Sequence, residues 1–178
     1  MSATYFMSDP HLGHKNIITF KDNNGKLTRP FRTIEEMDET IISSVNSVVK
    51  PQDRLYILGD VVINRKNLPT IARLNGRKKL IKGNHDIFKL KDYTPYFDDI
   101  VAYRIYPKYG LICTHMPIHP YLLENRWKAN VHGHTHQNDV VNSGNIDKRY
   151  VNICVEKTNY TPVSFDELLI MCDMEKIK

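Results

Sequence analysis

The sequence predicts an α/β fold organised on a largely parallel sheet, and two features carry that expectation. Through the first half, apolar runs of strand length alternate with amphipathic segments of helix length in the order βαβαβ, the pattern of parallel strands joined by crossover helices. Those apolar runs also end repeatedly in Asp, Asn or His, at the carboxyl ends where an open α/β sheet binds its ligands. A chain of 178 residues suits a single domain, 1–178, large enough to bury a core.

The elements follow in order. "TYFMSD" is a buried strand, and "FKDNNGKLTRPFR", Phe20 to Arg32, is polar, turn-rich and read as a surface loop. From Thr33 to Lys50, the residues Ile34, Met37, Ile41, Val45, Val48 and Val49 fall on one helical stripe. Thr33 with Glu36 forms a capping box at its start, and Pro51 ends it. "RLYILGDVV" is a second strand, "LPTIARLNG" a helix closed by Gly76, and "KKLIKGNHD" a third strand. In the second half "DIVAYRIY" and "LICTHMP" pair as a hairpin across "PKYG", and a short helix follows around "PYLLENRW". Strands come near "ANVHG" and at "RYVNICVE", and a last helix starts at Ser164 with a capping box to Glu167.

Composition excludes several classes. A hydrophobic content of 41% with 25% charged residues describes a globular chain, and no run reaches the length of a membrane span. No membrane partner is expected, and "MSATYFMSD", which lacks the layout of a signal peptide, reads as the start of the fold. Cys113, Cys154 and Cys172 are an odd set without CxxC spacing, which argues for buried thiols in a reducing cytoplasm. The net charge of +5 favours anionic partners without forming the basic block of a dedicated nucleic-acid binder.

The chemistry is concentrated in a few polar residues. "VHGHTHQ" sets His132, His134 and His136 at alternate positions, which in an extended chain point the same way, and neutral imidazoles are good metal ligands. Other apolar runs close in Asp9 and His11, in Asp60, in Asn84, His85 and Asp86, and in His115. Each alone is commonly a turn-former or cap. Five such endings in one chain indicate a site.

Together "DPH", "GD", "GNHD", the lone His115 and "GHTH" resemble, in order, the motif set of the calcineurin-like metallophosphoesterases. "SDPHLGHKNI" and "LYILGDV" look like compact bacterial and phage members. The resemblance implies a two-sheet β-sandwich flanked by helices and a dinuclear metal site at one edge. It implies one ion held by Asp9, His11, Asp60 and His136, and another held by Asp60, Asn84, His115 and His134, with Asp60 bridging. His85 would stand by the phosphate as an acid or charge stabiliser, oriented by Asp86. The implied activity is hydrolysis of phosphate esters by in-line attack of a metal-bridged hydroxide.

The residue types agree with that implication. Mixed carboxylate and imidazole donors suit divalent ions, Mn²⁺ first, with Fe²⁺, Zn²⁺, Co²⁺ or Ni²⁺ as alternatives, and the lack of thiolates argues against structural zinc. Small phosphodiesters are the expected substrates. The rival readings are a nuclease or a phosphomonoesterase, and, more distantly, a non-catalytic scaffold on the same fold. No Arg adjoins the motif blocks, although Arg29, Arg32 and Arg126 lie in segments able to fold back over the site. Basic residues in "NRKN", "GRKK" and "RWK" beside Trp127 offer a single-strand contact to a nucleic-acid partner. His132 reads as a polar residue behind the ligands, His14 and Asn16 as weak candidates for substrate contact, and His119 as a loop residue. Two departures stand: "VVI" after Asp60 lacks a further polar residue, and no long insertion supplies a lid.

Overall fold

Short strands with alternating apolar faces, each ending in a tight polar turn, set the architecture. The computed structural model describes residues 2–22 and 24–174. In chain order these form β1 (Thr4–Met7), a 3₁₀ helix (Lys15–Thr19), α1 (Ile34–Val48), β2 (Arg54–Ile57), a second 3₁₀ helix (Arg65–Arg73), β3 (Arg77–Ile81), the short α2 (Leu90–Tyr93) and β4 (Asp99–Val101). Then come β5 (Arg104–Tyr106), a 3₁₀ turn (Pro107–Tyr109), β6 (Leu111–Cys113), α3 (Tyr121–Asn125) and β7 (Ala129–His132). The small hairpin β8 (Val141–Asn142) and β9 (Asn145–Ile146), β10 (Tyr150–Asn152), β11 (Val163–Ser164) and α4 (Phe165–Met171) complete it.

Two sheets result. The first has the order β11-β1-β2-β3-β4, with β1 to β4 parallel and β11 antiparallel to β1. The second has the order β10-β7-β6-β5, parallel except for β5 against β6. Period-two alternation sorts the side chains into layers. Phe6, Tyr56, Leu58 and Ile81 point between the sheets and meet Leu111, Cys113, Val131 and Val151. Their neighbours Met7, Leu55, Ile57 and Leu80 face outward onto Met37, Ile41 and Val45 of α1 and onto Leu68 and Ile71. Ile112 and Tyr150, on the far side of the second sheet, pack on Leu123 and Trp127. The molecule is therefore an α/β sandwich of two sheets flanked by helices, as expected. No helix among the described residues is long and apolar enough to cross a membrane.

The local expectations are partly corrected. Thr33 caps α1 by accepting from the Glu36 amide, but the Glu36 carboxylate reaches past it to the Arg32 amide at 2.9 Å. "LPTIARLNG" forms a 3₁₀ helix, because Pro69 has no amide to donate and its ring crowds the carbonyl four residues back. "DIVAYRIY" is not one strand. β4 pairs in the first sheet and β5 in the second, so the chain changes sheets at Ala102 and Tyr103. The polar segment 20–32 is not all surface either, since Arg29 is 0% exposed.

The sheets converge where β1 and β10 run out. Ser8 and Cys154 form an isolated parallel bridge there, with Val155 N donating to Ser8 O at 3.1 Å. The turns that follow β1, β2, β3, β6 and β7 all gather at this edge.

Candidate metal centre

Beyond β1 the chain turns sharply, because Asp9 and His11 both take left-handed backbone angles, φ 57° and 49°. Asp60 after β2 and His134 and His136 after β7 do the same, at 54°, 68° and 51°. Five of the nine non-glycine residues with positive φ among those described are thus candidate ligands. Each such conformation costs on the order of 1–3 kcal/mol, a strain that surrounding structure must hold and that clusters at functional sites. This corrects the extended reading of "VHGHTHQ". β7 ends at His132, and the left-handed turns send His134 and His136 to different places.

The turns assemble two groups. Asp9, His11 and His136 offer donor atoms within 4.8 Å of one another, and so do Asp60, His115 and His134. Asp60 Oδ2 lies between them, 3.7 Å from His11 Nε2 and 3.5 Å from His115 Nε2. Asn84 adjoins the second group, its Oδ1 2.8 Å from His115 Nε2. The His115 Nδ1 sits 2.7 Å from the Leu58 carbonyl, which only accepts, so the proton belongs on Nδ1 and Nε2 is bare. With the Asn84 amide in this orientation two acceptors face each other at 2.8 Å, as two ligands of one cation would; turned over, the amide would instead donate to Nε2.

The other donors tell the same story. Asp9, His11 and Asp60 are 0–2% exposed, yet Asp9 Oδ1 and both His11 ring nitrogens lack any hydrogen-bond partner. Buried polar atoms without partners are costly. The donor set fits divalent cations.

Asp9 spends its second oxygen on position: Oδ2 accepts from Ser8 Oγ, from the His134 amide at 2.8 Å and from the Cys154 thiol at 3.2 Å. Burial, with Asp9 and Glu156 close by, pushes that thiol up, so it stays a donor. Burial works to raise the Asp9 carboxyl, but His11, His115 and Ser8 outweigh it and hold it well below the carboxylate range. Gly133 is required here, because a Cβ would run into Ser8 Oγ and Asp9 Oδ2. Gly59, at φ 86°, lets β2 pass close beneath His115 and the Gly83 backbone.

The residues expected to do chemistry separate. His85 is exposed, its ring 5.8 Å from that of His11, and its amide donates to Asp60 Oδ1 at 2.8 Å. Asp86 is buried and accepts from the amides of Asp60, Val61 and Gly83 at 2.9, 3.1 and 2.8 Å. It fixes the loop that carries His85, which corrects the expectation that it orients the ring. His132 is buried against Gly133 O and the Tyr150 ring, away from both groups. His14 lies beside His11, its pKa lowered to about 4 by burial and by neighbouring His11 and Arg29. Asn16 and His119 are exposed. Trp127, 9% exposed in its apolar cluster with Arg126 5.0 Å from its ring, is no stacking platform.

One residue of the site was missed, and another was named without its partners. Glu156 is half-buried with only 4% of its side chain exposed, its Oε1 2.8 Å from His136 Nδ1 and 2.7 Å from Arg29 Nε. Arg29 also donates to the carbonyls of Asp9 at 2.6 Å and Pro10 at 3.0 Å. A signal for Glu156 was present, since it closes the apolar run "VNICV" as Asp9 and Asp60 close theirs. Arg29 was named only as lying in a segment able to fold back, and nothing near it marked its partners.

No family model matches the chain. Its fold is similar to that of a protein of unknown function, AQ665, from Aquifex aeolicus, with a TM-score of 0.73, 28% identity, and coverage of 94% of this chain and 98% of that one. In sequence it is 34% identical to the uncharacterized protein MJ1445 of Methanocaldococcus jannaschii, across 99% of this chain and 95% of the relative. It is 30% identical to the gene 66 protein of Mycobacterium phage L5, across 88% and 87%. On that similarity over nearly its whole length, the chain belongs to the family of the Methanocaldococcus jannaschii protein MJ1445 and the phage L5 gene 66 protein.

Proposed function

We propose that this protein is a metal-dependent phosphoester hydrolase that works with two divalent cations and prefers phosphodiesters. The observation that carries the reading is Asp60, whose Oδ2 lies between His11 of one donor group and His115 of the other. Two carboxylates, four imidazoles and the Asn84 amide suit borderline divalent ions, Mn²⁺ foremost. Such a pair of ions supplies Lewis acidity toward a phosphoryl oxygen and hydroxide near neutral pH.

The chain's own residues do the rest. Asp9, His11, Asp60, Asn84, His115, His134 and His136 fix where the phosphoryl group is received. His85 stands exposed at the rim, held by its own amide to Asp60 Oδ1, and is suited to give a proton to the departing alkoxide. Asp86 keeps that loop against the β2 turn through its three amide bonds. Phosphoryl transfer needs little beyond positioning and charge neutralisation.

The diester preference rests on charge. A monoester dianion gains from an additional fixed arginine at the opening. Arg29 reaches the metal groups from beneath, is 0% exposed, and is engaged with Glu156 and two carbonyls. It cannot meet a substrate.

The test is metal removal. Chelated protein should not hydrolyse an activated phosphodiester, and Mn²⁺ should restore turnover, with matched monoesters cleaved less efficiently. Full activity with metal absent by elemental analysis would overturn the reading.

A further inference from the structure

A pocket opens directly beside the first donor group. It measures about 280 Å³ and is lined by Ile17, Phe20, Lys21, Thr28, His136, Gln137 and Asn138. Its outer wall is an arm of the chain that the sequence presented only as loop. Lys21 and Leu27 pair across the arm, Thr28 N donates to Phe20 O at 2.9 Å, and Asp22 closes the turn by accepting from the amides of Asn24 and Lys26. Buried Arg29 follows immediately and pins the base of the arm to Glu156, Asp9 and Pro10. The wall is therefore built on the same scaffold as the metal ligands.

The lining has a specific chemistry. Phe20 is 50% exposed, and His14 meets its ring edge-on at 5.9 Å. An exposed aromatic beside Ile17 offers a flat apolar surface. Gln137 and Asn138 belong to the same lining, and their side-chain amides make no hydrogen bonds among the described residues, so their donors and acceptors are free for a ligand. Lys21 forms no ion pair among the described residues and supplies a cation at the rim. Flat heterocycles with a hydrogen-bonding edge are bound by this combination: a ring stacks on an aromatic side chain while amides read its edge.

We propose that this pocket seats the nucleoside of a nucleoside-bearing phosphodiester, with the scissile phosphate at the two donor groups. The inference rests on the phosphoesterase reading and names its substrate class. His136 joins the two parts, since it lines the pocket and belongs to the Asp9 group. A cavity near the lower end of the ordinary range of about 300–1,000 Å³ for bound small molecules suits one nucleoside rather than a length of strand.

The experiment uses two substrates with the same leaving group, thymidine 5′-(4-nitrophenyl phosphate) and methyl 4-nitrophenyl phosphate. On Mn²⁺-loaded protein the nucleoside ester should have the higher kcat/KM by about tenfold or more, and Phe20→Ala should bring the ratio of the two values toward one. Gln137→Leu reads the same ratio should the Phe20 variant misfold. A ratio near one in the unaltered protein, or one that neither substitution moves, overturns the inference while leaving the hydrolase reading intact. Loss of metal-dependent turnover of both esters would instead sink the hydrolase reading. Calorimetric titration with thymidine 5′-phosphate then decides the pocket by itself: binding weakened by Phe20→Ala supports it, and absence of binding refutes it.

Discussion

Glu156 Oε1 lies 2.8 Å from His136 Nδ1 and 2.7 Å from Arg29 Nε, so one buried carboxylate oxygen ties a candidate metal ligand to a wholly buried guanidinium. The contact keeps the His136 proton on Nδ1 and turns Nε2 toward Asp9 and His11. Burial works against charge on both partners. Even so, their hydrogen bond prevails, raising His136 above its ordinary value and, with Arg29, holding Glu156 below its own. Because Arg29 also grips the Asp9 and Pro10 carbonyls, the turns after β1 and β7 are locked to each other through this pair.

Glu156→Gln keeps the shape and removes the charge. Metal affinity of the Asp9, His11 and His136 group should fall by about 10–100-fold, the usual effect of losing a carboxylate behind a ligating histidine. Competition with a chelator, read as Mn²⁺ or Co²⁺ stoichiometry, checks it. Unchanged affinity at both sites would show that Glu156 is structural only.

Arg29→Ala removes the buried cation and leaves the enclosed Glu156 carboxylate with His136 alone. Breaking a buried pair in this way costs roughly 3–5 kcal/mol. Urea denaturation of metal-free protein should show a loss of that order, and a loss under about 1 kcal/mol, as for an exposed pair, would contradict the burial seen here.

Asp60 and His85 should part company. Asp60→Ala removes the oxygen between the two groups, so metal content and rate should fall together. His85→Ala leaves the donor groups whole, so metal content should persist while kcat drops by about 10²–10⁴. Equal loss of metal in both variants would remove His85 from its proposed role.

Gly133→Ala should mimic a lost ligand without touching one. The added Cβ collides with Ser8 Oγ and Asp9 Oδ2, and the His134 amide that donates to the same oxygen must shift. Metal content should fall in a protein that still melts cooperatively. Normal loading would mean the turn has slack that the packing does not reveal.

The sequence made some of this legible and hid the rest for physical reasons. Period-two and helical patterns located β1, α1, β2, β3, β7 and α4, because burial on one face leaves a record in residue type. The ligand positions were legible as polar residues at the ends of apolar runs. The division of one strand between two sheets at Ala102 and Tyr103 was not, since β4 and β5 are both apolar and only tertiary pairing separates them. Nor did local pattern show that His134 and His136 diverge, because that depends on left-handed angles at non-glycine residues. The buried role of Arg29 lay hidden for a third reason: its partner is 127 positions away, and its neighbours are those of a solvated loop.

The last expectation concerns pH. Burial lowers His11 despite Asp9 beside it, and burial with His115 lowers His134, so both stay neutral below the ordinary 6.5. A histidine with a depressed folded value binds fewer protons folded than unfolded. Its contribution to the stability of metal-free protein is present above 6.5 and is lost as pH falls through the lower folded value. His136 has the opposite sign: its contribution is complete below 6.5 and is lost as pH rises through its raised value. Ligation requires bare imidazole nitrogens, so protons and metal compete at His11, His134 and His136 alike, and the raised His136 is protonated first as pH falls. The acid limb of activity should therefore begin above pH 6.5, at His136, and move down as Mn²⁺ is raised. Rate–pH profiles at two metal concentrations decide it, and an acid limb that stays fixed between them would assign the limb to a group outside the metal centre.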